Sequence, residues 1–346
     1  MTADRKLSFS SDYMEGAHPE VLQRLVETNL EQTPGYGTDA YCESAREKIR
    51  AACACPDAEI HFLVGGTQAN MVAIDTMIAP YAGVVAADTG HIATHEAGAI
   101  EAGGHKVMGL PHHLGKISAD QVDAFARIYW DDANHEHMVM PGMVYLSQPT
   151  EYGTLYSRSE LEAMREVCTR HGMQLYVDGA RLAYALAAPG NDVGLADLAR
   201  LCDAFYIGGT KCAALLGEAM VFPHPGTVPH FFTLVKQHGA LLAKGRVLGV
   251  MFDTLFTDNL YGRVGTHAIE AAERIRAALA ERGYEQFIAT PTNQIFVAFD
   301  QEQLAQLSDK VEMGFWENLP DGRTVMRIAT SWATRAEDVD ALIELL

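Results

Sequence analysis

The stretch YIGGTKCAALLGEAMVF, Tyr206–Phe222, sets a single cation, Lys211, among apolar, small and glycine residues. An unpaired charge taken out of water is costly, and a lysine in such a setting tends to give up its proton or find a chemical use. The run leading into it, AFYIGG (Ala204–Gly209), has the apolar, aromatic and β-branched make-up of a buried strand. Lys211 therefore sits just past a strand end, and the fold turns on what shares that edge.

Working outward, short apolar runs alternate with longer helical patterns over the first two-thirds of the chain. Strands are expected at Ile60–Val64, Gly83–Asp88, His105–Leu110, Met143–Ser147, Gln174–Asp178 and Ala204–Gly209, then at Ala219–Pro223. Between them lie helical periods such as SRSELEAMREVCTRHG, with Ser157 as N-cap and Gly172 as stop. Continuous apolar strands punctuated by helices predict a mostly parallel sheet covered on both faces. The last third differs. A long, weakly interrupted helical region, about Val235–Gly283, leads to the strand-like IFVAF (Ile295–Phe299) and TVMRIAT (Thr324–Thr330), and an amphipathic helix from about Glu337 closes the chain.

Composition narrows the partners. The 346 residues carry 26 Lys+Arg against 45 Asp+Glu, a formal charge of -19, which argues against nucleic acid and anionic membranes. No segment is long and apolar enough to span a bilayer, and MTADRKLSFSSDYMEG lacks the apolar core of a signal peptide. The six cysteines show neither CxxC pairing nor metal spacing. A cytoplasmic protein with reduced thiols and no metal site is expected.

In open parallel sheets ligands bind beyond the carboxyl ends of the strands. After Val64 come Gly65-Gly66-Thr67 and a helix: a phosphate cradle, or a plain turn with Thr67 as cap. After Asp88 come His91, His95 and Glu96; an imidazole here could stack on a flat ring, ligate a metal or simply pack. After the next strands stand Asp178, with Arg181 as a conceivable loop partner, and Thr210-Lys211. A desolvated lysine can act as a nucleophilic amine, or its head can reach solvent past apolar neighbours. Together these suit pyridoxal 5′-phosphate (PLP), which needs an amine for its aldehyde, a carboxylate for its pyridinium nitrogen, a stacking group and a phosphate site.

Nine motifs in order then resemble the low-specificity L-threonine aldolases, within the fold-type-I PLP enzymes and the β-eliminating lyase superfamily. They are FSSDYMEGAHPEVL, TPGYGTDAYCE, GGTQAN, GHIATHEAGA, LSQPTEYGTLYS, YVDGARLAYAL, YIGGTKCAALLGEAMVF, KQHGALLAKGRVLG and MRIATSWAT. The resemblance implies an α/β, PLP-dependent transferase-like fold of type I. A large, mostly parallel-sheet domain would span residues 1–250, with segment 1–30 crossing to a small C-terminal α+β domain at 251–346. It implies Lys211 as the Schiff-base lysine, Asp178 as the pyridinium partner, His91 stacked on the ring, Gly66 and Thr67 at the phosphate, and Thr210 as a further cofactor contact. Ser11, Arg181 and Arg327 match positions that hold the substrate carboxylate, a task suited to the planar fork of arginine. Gln148 and Thr150 match positions near the cofactor or substrate, and Arg181 a further cofactor contact. Tyr36 and Arg246 match positions that serve a neighbouring subunit's site, implying a homodimer or homotetramer.

The activity implied is retro-aldol cleavage of β-hydroxy-α-amino acids (L-threonine, L-allo-threonine, L-phenylserine) to glycine and an aldehyde. His137 is implied as the general base, with His91 and a phosphate-bound water as competitors. β-Elimination and transamination share Lys211 and Asp178 and stand as alternatives on the same scaffold. A cofactor-free binding protein is the alternative of another class.

Overall fold

The computed structural model describes residues 6–346; residues 1–5 of the expected crossing segment lie outside it. Twelve strands occur among the described residues. In chain order they are β1 (Leu7–Phe9), β2 (Glu59–Leu63), β3 (Ala82–Ala87), β4 (Val107–Leu110), β5 (Met140–Ser147), β6 (Gln174–Asp178), β7 (Ala204–Gly208), β8 (Glu218–Phe222), β9 (Glu285–Ile288), β10 (Gln294–Phe299), β11 (Val311–Asn318) and β12 (Thr324–Ala329).

Seven of them form one sheet in the order β2-β8-β7-β6-β5-β3-β4. The pairs from β7 through β6, β5 and β3 to β4 are parallel, whereas β8 runs antiparallel to both β7 and β2. Alternate residues of each strand supply opposite faces. Val84, Ala86, Tyr145, Tyr176 and Tyr206 join one core with the helix Gly66–Met77, while Val85, Ala87, Leu146, Val177 and Phe205 join the other. Both faces are buried, which is why the strands read as unbroken apolar runs.

The second sheet has the order β1-β11-β12-β10-β9, with β1 parallel to β11 and the remaining pairs antiparallel. Its first strand thus comes from the N-terminal end of the described chain. The helix Leu260–Glu281 joins the two cores: Leu260, Val264 and Ala268 pack in the larger one, and Ala272, Ile275 and Leu279 in the smaller.

The Ser157 cap and Gly172 stop form as expected, with a full capping box to Glu160 and Gly172 at φ 68°. The weakly interrupted helical region expected over Val235–Gly283 consists of three helices: Phe231–Gln237, Arg246–Leu255 and Leu260–Glu281. One break contains Gly239 at φ 67°, and the other turns on Asp258 and Asn259, both in left-handed conformation. No described helix is long and apolar enough to cross a membrane.

Candidate active site

The parallel strands deliver their chemistry to one edge. β6 ends in Asp178, β7 in the Gly209-Thr210-Lys211 turn, and β5 in a loop that carries Glu151. Two glycines allow the β6 and β7 ends to nest. A Cβ on Gly179 would stand 2.1 Å from the Tyr206 carbonyl oxygen, and one on Gly208 2.3 Å from that of Ala180. Any side chain there would wedge Asp178 away from Lys211.

Asp178 is buried, and each carboxylate oxygen accepts two hydrogen bonds. Oδ1 takes the Tyr206 hydroxyl and the Ala180 N–H at 3.0 Å; Oδ2 takes the Tyr145 hydroxyl at 2.6 Å and Asn70 Nδ2 at 3.1 Å. Burial alone would raise its pKa, but His91 and the Tyr145, Tyr206 and Ala180 donors overcome that and hold it below the usual carboxylate range. The set extends outward: Asn70 Nδ2 also donates to Glu96, whose Oε1 lies 2.7 Å from His91 Nδ1. This contact fixes the His91 ring.

Lys211 is held through its backbone, its carbonyl accepting from Tyr184 Oη. Burial, then the nearby Arg181 charge, lowers its ammonium pKa, which favours the neutral amine that imine chemistry requires. Glu218 stands beside it, its Oε2 accepting from Gly209 N at 3.0 Å, and burial pushes its carboxyl up to about 8. Cys212 is buried and its thiol is pushed up to about 12 by burial, so the cysteine next to Lys211 is a packing residue.

These groups line an inner cavity of about 270 Å³, together with Gly66, Thr67, His91, Glu151, Arg181 and Thr210. The helix Gly66–Met77 starts at that cavity with Gly65 as N-cap and no side-chain cap, so Thr67 does not cap it. A second cavity of about 660 Å³ shares Tyr13, His91, Glu151, Arg181 and Lys211 with the first and adds Gln294, Phe315, Trp316 and Arg327.

Arg181 does not pair with Asp178. Its Nε and Nη2 reach Asp12 at 2.6 and 3.0 Å, and Asn293 Nδ2 donates to the same carboxylate at 2.9 Å. Although burial opposes it, Arg181 holds Asp12 down at about 2. Nearby, Ser11 Oγ, Arg327 Nε and Gln294 Nε2 are buried with no hydrogen-bond partner among the described residues. Buried donors are normally satisfied, so three unpaired ones in this region fit an incoming carboxylate.

Other expected residues lie elsewhere. Gln148 spends its side chain on the Tyr156 backbone, Nε2 to O at 3.1 Å and N to Oε1 at 2.9 Å, and Thr150 pairs with Thr154 at 2.7 Å; neither lines a cavity described above. His137 is exposed in a short turn, His135–His137, before the amino end of β5. Eight strand residues then separate it from the active edge, roughly 25 Å at ~3.3 Å per residue, so one chain does not bring it to the pocket. Tyr36 and Arg246 are also remote within one chain: Tyr36 lines a separate groove, and Arg246 donates to the carbonyls of Thr28 and Glu31 at 2.7 and 3.0 Å. Among the described residues no His/Cys/Asp/Glu group could hold a metal ion.

The sequence reading passed over Glu151, Glu218, Asp12 and the tyrosines below Asp178. Glu151, Glu218 and Asp12 had a signal, each an acid inside a quoted motif, but no motif told what its acid meets. Glu218 opens β8, and because β8 runs antiparallel its amino end reaches the active edge.

Comparison with known proteins agrees with this geometry. The profile of the Beta-eliminating lyase family matches residues 8–312. A low specificity L-threonine aldolase from Pseudomonas aeruginosa is 28% identical over 342 residues, covering 98% of this chain and 96% of its own. The structure of a Leishmania major threonine aldolase superposes with a TM-score of 0.94 at 40% identity, covering 98% of each chain. A Thermus thermophilus aspartate aminotransferase, at 12% identity and TM-score 0.70 over 98% of this chain and 90% of its own, shares the fold. The chain belongs to the beta-eliminating lyase family of PLP-dependent enzymes, and within it to the threonine aldolases.

Proposed function

We propose that this protein is a cytoplasmic PLP-dependent aldolase that cleaves β-hydroxy-α-amino acids, L-threonine, L-allo-threonine and L-phenylserine among them, to glycine and an aldehyde. One observation carries the reading: Lys211 and an ionised Asp178 share a small cavity that opens onto a larger one holding Arg181 and Arg327. The names of the relatives support the same class.

The residues fit the cofactor. Asp178 would hold the ring nitrogen, Lys211 the aldehyde carbon, and the N–H groups opening the helix at Gly66, with Thr67 and Thr210, the phosphate. His91, fixed by Glu96, would cover the ring face. When bound, PLP supplies an electron sink for the bond that breaks. The chain's own work is orientation. Arg181 and Arg327, with Ser11, would clamp the carboxylate so that the Cα–Cβ bond stands across the ring. Tyr152, Phe315 and Trp316 line the outer cavity, giving an aromatic β-substituent surfaces to pack on.

The two cavities contain no contribution from Tyr36 or Arg246. In the proposed homodimer or homotetramer these residues serve a neighbouring subunit's site. The exposed apolar residues on that side, Val26, Leu30, Tyr36 and Phe232, support burial against a second copy.

Purified protein incubated with PLP and the three amino acids is expected to release glycine and the matching aldehyde in equal amounts. Pyruvate and ammonia from L-serine or L-tyrosine, with no aldehyde from any of the three, would overturn the aldolase in favour of elimination.

A further inference from the structure

We propose that Glu151 is the catalytic base that takes the proton from the substrate's β-hydroxyl, a role that rests on the aldolase reading above. Among the described residues, five line both cavities: Tyr13, His91, Glu151, Arg181 and Lys211. A substrate whose amine replaces Lys211 in the inner cavity and whose carboxylate meets Arg181 and Arg327 must hold its Cβ at that junction. Four of the five are committed or unsuited. Arg181 is permanently charged and bound to Asp12, Lys211 serves the amine exchange, and His91 Nδ1 is tied to Glu96. Tyr13 presents a phenol hydroxyl, which carries its own proton and serves an alcohol as a hydrogen-bond partner, not as a proton acceptor.

Glu151 is anchored and still available. Its Oε1 accepts from Ser147 Oγ at 2.7 Å and from the His91 N–H at 2.9 Å. Both contacts fall on Oε1, which leaves Oε2 for a ligand hydroxyl. Burial raises its pKa, against the pull of Ser147, which makes it a stronger base than a solvated carboxylate. His137 is exposed at the far edge, and His95, which lines only the outer cavity, has its pKa lowered by burial.

The step balances without an oxidant or reductant. The β-hydroxyl proton passes to the Glu151 carboxylate, and the O–H electron pair becomes the second bond of the aldehyde carbonyl. The Cα–Cβ bond breaks and its pair stays with the glycine fragment. That fragment takes one proton at Cα from solvent in the outer cavity, and the proton on Glu151 returns to that solvent, so the base is restored and the protons balance.

Glu151→Gln tests this, because the amide keeps an oxygen for Ser147 and His91 but cannot accept the proton. The holoenzyme variant is assayed for L-threonine cleavage and, separately, for exchange of the glycine Cα hydrogen in heavy water, which has no β-hydroxyl step. The expected result is a kcat for cleavage down about 10²- to 10⁴-fold, with PLP absorbance and glycine exchange at wild-type levels. Cleavage within a few-fold of wild type would overturn the assignment, and so would a parallel loss of cleavage and exchange, the mark of a structural part. Wild-type enzyme that exchanges glycine but releases no aldehyde overturns the aldolase reading itself, and the base with it.

Discussion

Arg181 owes its place to Asp12, a residue 169 positions away in sequence whose two oxygens face its Nε and Nη2. The pair is buried, so removing one partner strands the other charge. Asp12→Asn is expected to cost roughly 3–5 kcal/mol and to lower kcat/KM by about a hundredfold through a displaced carboxylate clamp. The pH sign follows from the depressed pKa. Asp12 drops from 3.8 to about 2 on folding, so its stabilisation is full above about pH 4 and fades as pH falls through about 2. Urea unfolding of wild type and variant should therefore differ most at neutral pH and converge as pH is lowered below 4. A gap independent of pH would show that Asp12 is not ionised in the fold. At this scale the sequence displayed Lys211, Asp178 and His91, because each follows a strand. It hid Asp12, since no local pattern tells which acid an arginine will meet across two sheets. Arg181 was visible as a cation one turn past Asp178, yet the nearer acid in sequence proved the wrong partner.

Between elements, the decisive contact is backbone against backbone. The loop after β6 lies on β7 so closely that Gly179 has no room for a methyl group, its Cβ falling 2.1 Å from the Tyr206 carbonyl. Gly179→Ala must push the two strand ends apart, and these carry Asp178 and Lys211. The expected cost is roughly 1–3 kcal/mol, accompanied by weaker PLP binding in a titration followed by absorbance. Gly16→Ala is the control, with its nearest atom at 4.0 Å and no left-handed backbone, and should shift stability by about 0.5 kcal/mol or less. Equal effects from both substitutions would refute the close-approach account. The strands and the active edge were legible because buried parallel strands advertise themselves as apolar runs. The reversed strand was not, since AMVF reads alike in either direction, and with it went Glu218. The breaks in the long helical region were expected but not placed: Asp258 and Asn259 hold left-handed backbone, which these residue types tolerate without requiring it.

For the whole molecule, the single chain leaves Tyr36 and Arg246 beside an exposed apolar surface and outside both cavities. Their role came from family likeness alone, because no spacing in one sequence distinguishes a residue that completes its own site from one that completes a neighbour's. Subunit mixing separates the two. Lys211→Ala and Arg246→Ala are each expected to be inactive, or nearly so, as pure preparations. If Arg246 serves the neighbouring site, a mixed dimer holds one site with both lesions and one with none. Unfolding the two variants together and reassembling them at equal ratio should then restore roughly a quarter of wild-type activity, since about half the two-fold dimers are mixed and each has one intact site. If Arg246 serves its own chain, every site in every dimer carries a lesion and mixing restores nothing. Affinity tags on the two variants establish that mixed dimers have formed, so absence of recovery in a mixed preparation would count against the shared site. The symmetry of the assembly converts an ambiguity in one sequence into a difference between some activity and none.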